Sequence, residues 1–430
     1  MTENLAVKDD FIRAFSGDLG EPGWLTELRI NAWQQASELA LPFVDKTKID
    51  RWNFTKFEAY EAFQTGVTNE ALPESVQALI AEDANVYVQI DNRPARLHLS
   101  QELADAGVIF TDIITAAKEH PELVQKYFMT EAVKVDESRL TAFHTALVNG
   151  GLFLYVPKNV EVKEPIQAVF AHGNAASPLV NHVLLVADDN SAVTYVENYV
   201  TLDAENKGIV NIVAEVIAEN NAQIKFGAVD NLGSGATTYV SRRGHVGNDS
   251  RVEWALGLMN DGDTINENTT NLMGNGSVSD VKTVTVGRGK QTQNITTRVT
   301  HYGLASLGTI LSHGVMKDSA TTIFNGIGHI KHGASKSDAQ QESRVLMLSP
   351  KARGDANPIL LIDENDVVAG HAASVGRVDP LQLFYLMSRG ISKQEAERLV
   401  IHGFLDPVVR QLPIESVKLQ LKEVIEGKVR

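Results

Sequence analysis

The chain has 430 residues, 39 Lys and Arg against 54 Asp and Glu, a formal net charge of -15 and no cysteine. Such an acidic balance repels a phosphate backbone or an anionic lipid surface, so neither nucleic acid nor a membrane is an expected partner. Zero cysteine excludes disulfides, cysteine nucleophiles and thiolate ligation by this chain alone, so any iron-sulfur cluster here needs thiolates from outside.

In chain order, residues 1–20 carry Asp9, Asp10 and Asp18 without a secretory apolar stretch, and no later run reaches a membrane span, so the chain is expected to be cytoplasmic. The length allows two or three folding units, or one elongated unit. Residues 1–149 form a mainly helical region, with apolar residues at helical spacing in 24–41, 74–81, 101–117 and 137–147. One interruption, 85–99, alternates as VYVQI, turns at Asp91-Asn92-Arg93-Pro94 and returns as ARLHL, the pattern of a β-hairpin.

Gly150-Gly151 opens a different regime. Residues 150–368 are a succession of short β-favouring runs with almost no helical periodicity. Polar or glycine corners recur near Asn221, Asp249, Gly276, Lys290, Leu304, Asp318 and Gly333, at steps of about 14 residues or twice that. A parallel β-helix meets this pattern: each coil pairs with the coils above and below, and alternate apolar residues fill a long core. An antiparallel sandwich is the competing reading, and the long step favours the solenoid.

The region 369–430 returns to helical spacing. His371 stands in a small-residue turn, VVAGHAASVG. Asp379-Pro380 starts LQLFYLMSR, Gly390 breaks it, Ser392 and Glu395 form a capping box for the next helix, and a last helix is expected over 415–426. Helices at both ends are expected to cover the edge strands of the solenoid. Leu381, Phe384, Tyr385, Leu399 and Phe404 supply either packing against the solenoid, the simpler account, or a docking surface.

Catalytic constellations fail. Gly233-Ser234-Gly235 lacks the context of a nucleophile elbow, and Gly287 to Thr292 lacks the glycine spacing, the metal-binding hydroxyl and the following helix of a phosphate loop, so both read as corners. His329 and His332 lie in a strand-like run whose odd separation sends the rings to opposite faces. His245, His301 and His313 are isolated. For His371 two roles stay open, a ligand for iron or zinc completed by another chain, helped by Asp363, Glu364 and Asp366 upstream, or a structural histidine bonded to backbone.

Residues 324–341, FNGIGHIKHGASKSDAQQ, with SRVLMLSPKARGDANPILLID, GHAASVGRVDPLQLFYLMSRGI and AERLVIHGF, closely resemble the SufB/SufD family of iron-sulfur cluster assembly proteins. The run from Arg29 to Phe57, with its LPFVDKTKIDRWNFTKF, and NGGLFLYVP at 149–157 resemble it too, so the likeness covers most of the chain. It implies a mainly β fold, a right-handed parallel β-helix between helical ends, and C-terminal helices that dock the ATPase SufC, here through Leu383, Phe384, Arg389 and Gly390. Lack of cysteine sets the chain apart from the SufB branch, which supplies a cysteine, and makes it SufD-like.

His371 falls on the family histidine that works across the SufB interface. Ala369 stands where many relatives have cysteine and Leu361 where glutamate is frequent. The resemblance therefore implies a non-catalytic scaffold subunit that meets SufB and SufC homologues. On the same resemblance, iron or a cluster is expected to be held transiently on His371 and shared with SufB, none to be bound stably by the isolated chain, and the chain to form a homodimer when alone. A β-helical carbohydrate enzyme and a purely structural homodimer remain the alternatives.

Overall fold

A computed structural model describes residues 9–429; the first eight residues of the segment read above as lacking a leader lie outside the described residues. The N-terminal region holds α1 (Asp9–Leu19), α2 (Gly23–Glu38), α3 (Glu74–Gln77), β1 (Asn85–Ile90), β2 (Arg93–His98), α4 (Gln101–Asp105), β3 (Ile109–Asp112), α5 (Ile113–Glu119), α6 (Pro121–Tyr127) and α7 (Arg139–Leu147). Two expected helices are corrected here. The segment 74–81 gives a single turn, and 101–117 divides, because Gly107 at φ +84° ends the α4 turn and Ile109 to Asp112 pair antiparallel with the first solenoid strand. The Asp112 carboxylate then caps α5 by accepting from the Thr115 N–H.

The solenoid runs through β4 (Gly150–Val156), β5 (Ile166–His172), β6 (Leu179–Ala187), β7 (Ala192–Thr201), β8 (Ile209–Ala218), β9 (Gln223–Asn231), β10 (Thr237–Val246) and β11 (Arg251–Leu258). It continues through β12 (Thr264–Leu272), β13 (Val278–Gly287), β14 (Thr292–His301), β15 (Leu307–Met316), β16 (Thr321–Ile330), β17 (Asp338–Met347), β18 (Arg353–Ile362) and β19 (Val368–Arg377). Odd strands stack in parallel in one sheet and even strands in the other, giving about eight turns. At one end β1 extends the odd sheet and β3 the even one, so the hairpin read as an interruption is the first rung of the solenoid.

Corners explain the repeat. Asn159, Asn190 and Asn221 all take left-handed φ, 62°, 59° and 55°, and each successive Nδ2 donates to the preceding Oδ1 at 3.0 Å. Asparagine tolerates that region and satisfies its neighbour at once. Asp249, Gly276 and Ala305 carry the same column onward.

Alternate residues inside the two sheets fuse into one long core from Tyr87 to Ala352. Within it Arg242 is fully buried between Glu197 and Asp230, donating to Glu197 Oε1 at 2.8 and 3.0 Å and to both Asp230 oxygens at 2.9 and 2.7 Å. Burial pushes the Glu197 carboxyl up to about 7, against the pull of Arg242.

The N-terminal helices pack on the outer face of the even sheet, through Val180, Leu184, Val213 and Ile217. The C-terminal helices are α8 (Pro380–Ser388), α9 (Lys393–Val409) and α10 (Glu415–Val429). Of these, α9 and α10 lie on the outer face of the odd sheet, burying Ile401, Leu405, Val417 and Leu421 against Val229, Ala255, Val284 and Val315. They flank the rod and do not cap its C-terminal end, contrary to expectation: β18 and β19 are the last strands of their sheets and each pairs on one side only. The expected turn around His371 is also strand, so the solenoid extends past residue 368 to Arg377.

Candidate functional site

β19 is held in register by β17, with Gln341 beside His371. Strand alternation fixes where His371 faces. Ile310, Gln341 and His371 share one ladder, and Ile310 is a core residue, so His371 lies on the inward column. Upstream that column reads Tyr195, Phe226, Trp254 and Val281, all core; at the last coil it ends in an imidazole. Because no coil follows, this inward residue is exposed, at an open mouth shared with Pro358, Leu360, Ala373 and Val375 on the same inward parity. The rim is apolar: Val368 is 59% exposed, and Leu361, Ile362 and Val375 about 40%.

Ala369, two residues before His371, faces the same mouth, whereas Leu361 is on the outer face of β18 by the same alternation. The upstream carboxylates do not turn toward His371. Asp363 is 3.1 Å from His329 Nε2, Glu364 accepts from the Gly333 N–H at 2.9 Å, and Asp366 accepts from Ser335 at 3.3 Å. The Gly333 and Asn365 N–H groups hold Glu364 below the usual carboxylate range. Asp363 thus binds the end of β16, and Glu364 and Asp366 bind the corner that follows it. His329 lies in β16, while His332 falls beyond its end, exposed, so the two histidines are parted by a corner as well as by alternation. Among the described residues no group of three or more His, Asp or Glu side chains converges in a metal-holding arrangement.

Only Val378 and Asp379 separate β19 from α8. Asp379 Oδ1 accepts from the Leu381 N–H at 2.9 Å and Pro380 takes the first helical position, as read from the sequence. α8 has no buried residue. Leu381, Phe384 and Tyr385, spaced for one face, are 74, 67 and 57% exposed, so packing against the solenoid, the simpler account, is corrected for them. It holds for Phe404, which stacks on His313 at 5.0 Å and accepts from its Nδ1 at 2.9 Å. Of the anticipated docking residues, Phe384, Arg389 and Gly390 are exposed and Leu383 is half-buried on a different face from Phe384. Arg389 lies 5.3 Å from the Tyr385 ring, and Gly390 at φ +87° makes the turn into α9, where the Ser392 hydroxyl accepts from the Glu395 N–H.

A buried cluster escaped the sequence reading. Asn211 Oδ1 accepts from His144 Nδ1 at 3.0 Å, His144 Nε2 accepts from His182 Nδ1 at 3.0 Å, and His182 Nε2 lies 3.3 Å from Glu215 Oε1; the tautomers follow from the Asn211 amide, whose Nδ2 donates to the Leu140 carbonyl. Glu215 also accepts from the N–H groups of Met129, at φ +54°, and Val133. Burial pushes the Glu215 carboxyl up to about 8 and the His182 imidazole down to about 3. Its parts lie in three distant segments, so no local pattern announces it. Arg242 did leave a signal: Arg242-Arg243 inside a strand must put one arginine on each face.

Two family models match. That described as the SufBD protein N-terminal region matches residues 27–168, and that described as SUF system FeS cluster assembly, SufBD core domain, matches residues 170–404. The chain is 62% identical over 431 residues to the iron-sulfur cluster assembly protein SufD of Bacillus subtilis, covering 99% of each. It is 27% identical over 440 residues to an iron-sulfur cluster assembly SufBD family protein of Staphylococcus saprophyticus, covering 98% of this chain and 94% of that one. A Staphylococcus epidermidis SufBD family protein is 26% identical over 446 residues, covering 100 and 94%.

Proposed function

Since the chain belongs to the SufB/SufD family of iron-sulfur cluster assembly proteins and is most like SufD, we propose that it is the SufD-like scaffold subunit of a SUF complex. A SufB homologue seats on the free edges of β18 and β19, and a SufC-type ATPase docks on α8. The observation that carries this reading is the unfinished last coil: an apolar rim with unpaired strand edges, centred on an imidazole. Natural sheets cover or charge such edges, and here the bare edge is itself the binding surface.

In this complex SufB supplies thiolates and this chain supplies His371 across the shared edge. Iron or the nascent cluster is cargo held between the two subunits. Turnover of ATP belongs to SufC; this chain has a mechanical and ligating role. The link from α8 to β19 is two residues long, so displacement of the docked helix pulls on the strand that bears His371. A stiff stacked solenoid carries such a displacement where a loosely linked domain would absorb it. No helix among the described residues is long and apolar enough to cross a membrane, and the cytoplasm is the compartment this reading requires.

Anaerobic co-expression with SufB and SufC homologues, followed by iron and sulfide analysis of the purified complex, tests the assignment. A ternary complex carrying iron and sulfide is expected. Failure of the chain to co-purify with either partner would refute it.

A further inference from the structure

Inside the C-terminal half of the solenoid the apolar core is interrupted. The inward residues of β12 share the parity of Leu272, a core residue, and include Asn266 and Asn268, each 1% exposed. Across the interior, β13 places Thr283, fully buried, on the parity of the core residue Val281. Neither amide atom of either asparagine, nor the Thr283 hydroxyl, has a hydrogen-bond partner among the described residues. Buried amides left unpaired are costly enough that proteins rarely keep them. Two of them side by side, both aimed at the axis, call for a small molecule that donates and accepts at once.

The surrounding columns show how far that polarity reaches. On the even sheet Asn268 stacks directly on Arg242 at one side and on Thr297, then Gly326, at the other. On the odd sheet Thr283 is followed by Ser312, Ser343 and Ala373, the last in the terminal coil two residues from His371. Large apolar side chains occupy the neighbouring columns, Ile295 and Phe324 on one sheet, Val281 and Ile310 on the other. The middle of the rod is therefore lined by hydroxyls, amides and glycine from the Arg242 ion cluster as far as Ser343 and Gln341, one coil short of the mouth, where Pro358 and Ala373 follow.

We propose that this interior is a binding site for a file of water molecules, anchored on Asn266, Asn268 and Thr283 and leading to the mouth beside His371. Water suits the site because it supplies two donors and two acceptors in the smallest volume, and a buried water is stable where several polar groups converge. The file hydrates His371 from inside the rod, exchanges with bulk solvent through the open coil, and is sealed when a partner covers the free edges. The anchoring sites do not depend on which partner that is.

A crystal structure of the full chain at a resolution that shows ordered solvent tests this directly. Water density bridging Asn266, Asn268 and Thr283, with further density toward Ser312 and Ser343, is expected; direct pairing of the two asparagines with protein groups, without solvent density, would overturn the proposal. Asn268→Leu gives an independent reading. If water bridges these groups, the leucine strands Asn266 and Thr283 and lowers Tm by about 2 °C or more; if the interior is dry, removing an orphan amide leaves Tm unchanged or raises it, and the proposal fails.

Discussion

At the residue scale, His371 is set by its place at the end of a ladder. The same inward position in earlier coils is filled by Tyr195, Phe226, Trp254, Val281 and Ile310, and only the absence of a next coil turns it into a reachable ring. His371→Ala removes no contact inside the chain that supports the fold, so Tm and complex assembly should stay unchanged. Iron bound per purified complex should fall severalfold. Equal iron content in wild-type and variant complexes would return the histidine to a structural role.

The Glu215 cluster makes a pH prediction. The folded state keeps a proton on Glu215 up to about pH 8, while the unfolded chain releases it near 4.5, so this group's contribution falls as pH rises through that window. His182, held down to about 3 against 6.5, acts oppositely between those values. The two offset each other between about pH 4.5 and 6.5, and above that range Glu215 acts without opposition from His182. Glu197, raised to about 7, adds to the decline only up to that pH. Tm should therefore fall between pH 6.5 and 8, and Glu215→Gln, less stable throughout, should flatten that slope; a variant with the wild-type slope would contradict the assignment.

At the scale of elements, the three C-terminal helices look alike in sequence and differ in burial. α10 sits on glycines: a Cβ at Gly257 would come 2.2 Å from Leu421, and one at Gly227 would come 2.6 Å from Val417. Gly257→Val should lift α10 from the odd sheet at a cost of about 1–3 kcal/mol, typical of overpacking, seen as a lower Tm and faster amide exchange in 415–429. Stability equal to wild type would show that the helix is not seated there. α8, by contrast, touches mainly α9. Phe384→Asp should leave Tm within about 1 °C, as for surface changes generally, and abolish co-purification of a SufC homologue. Retained capture would move the ATPase site elsewhere. Periodicity alone could not separate these helices, because an apolar stripe records that a face will be covered and not by what.

At the scale of the molecule, a solenoid closed at one end by β1, β2 and β3 and open at the other has a direction, and on the proposed reading its open end is where a second rod adds coils. Val375→Lys places a charge on that mouth, where it remains hydrated in the monomer but would be buried by a partner. Self-association of the isolated chain, and pairing with a SufB homologue, should weaken at least tenfold by analytical ultracentrifugation, with Tm unaffected. Undiminished association would place the interface on another surface.

Several features were legible because they are local. Corner asparagines and glycines at a steady step, strand alternation, the Asp379-Pro380 start and the Gly390 break each depend on the backbone preference of a few adjacent residues, and these alone determined a β-rich middle, favouring a solenoid over a sandwich, between helical regions in a cysteine-free, acidic chain. The tertiary structure decided the rest. Residues 101–117 became helix, strand and helix because pairing with β4 outweighed helical spacing; Glu215 met His182, Met129 and Val133 from separate segments; and the last coil stayed open because α9 and α10 found the flat face of the odd sheet. Burial and pairing are properties of what lies across space, and the same amino acids that fill a core in one coil form a surface in the coil that has no neighbour.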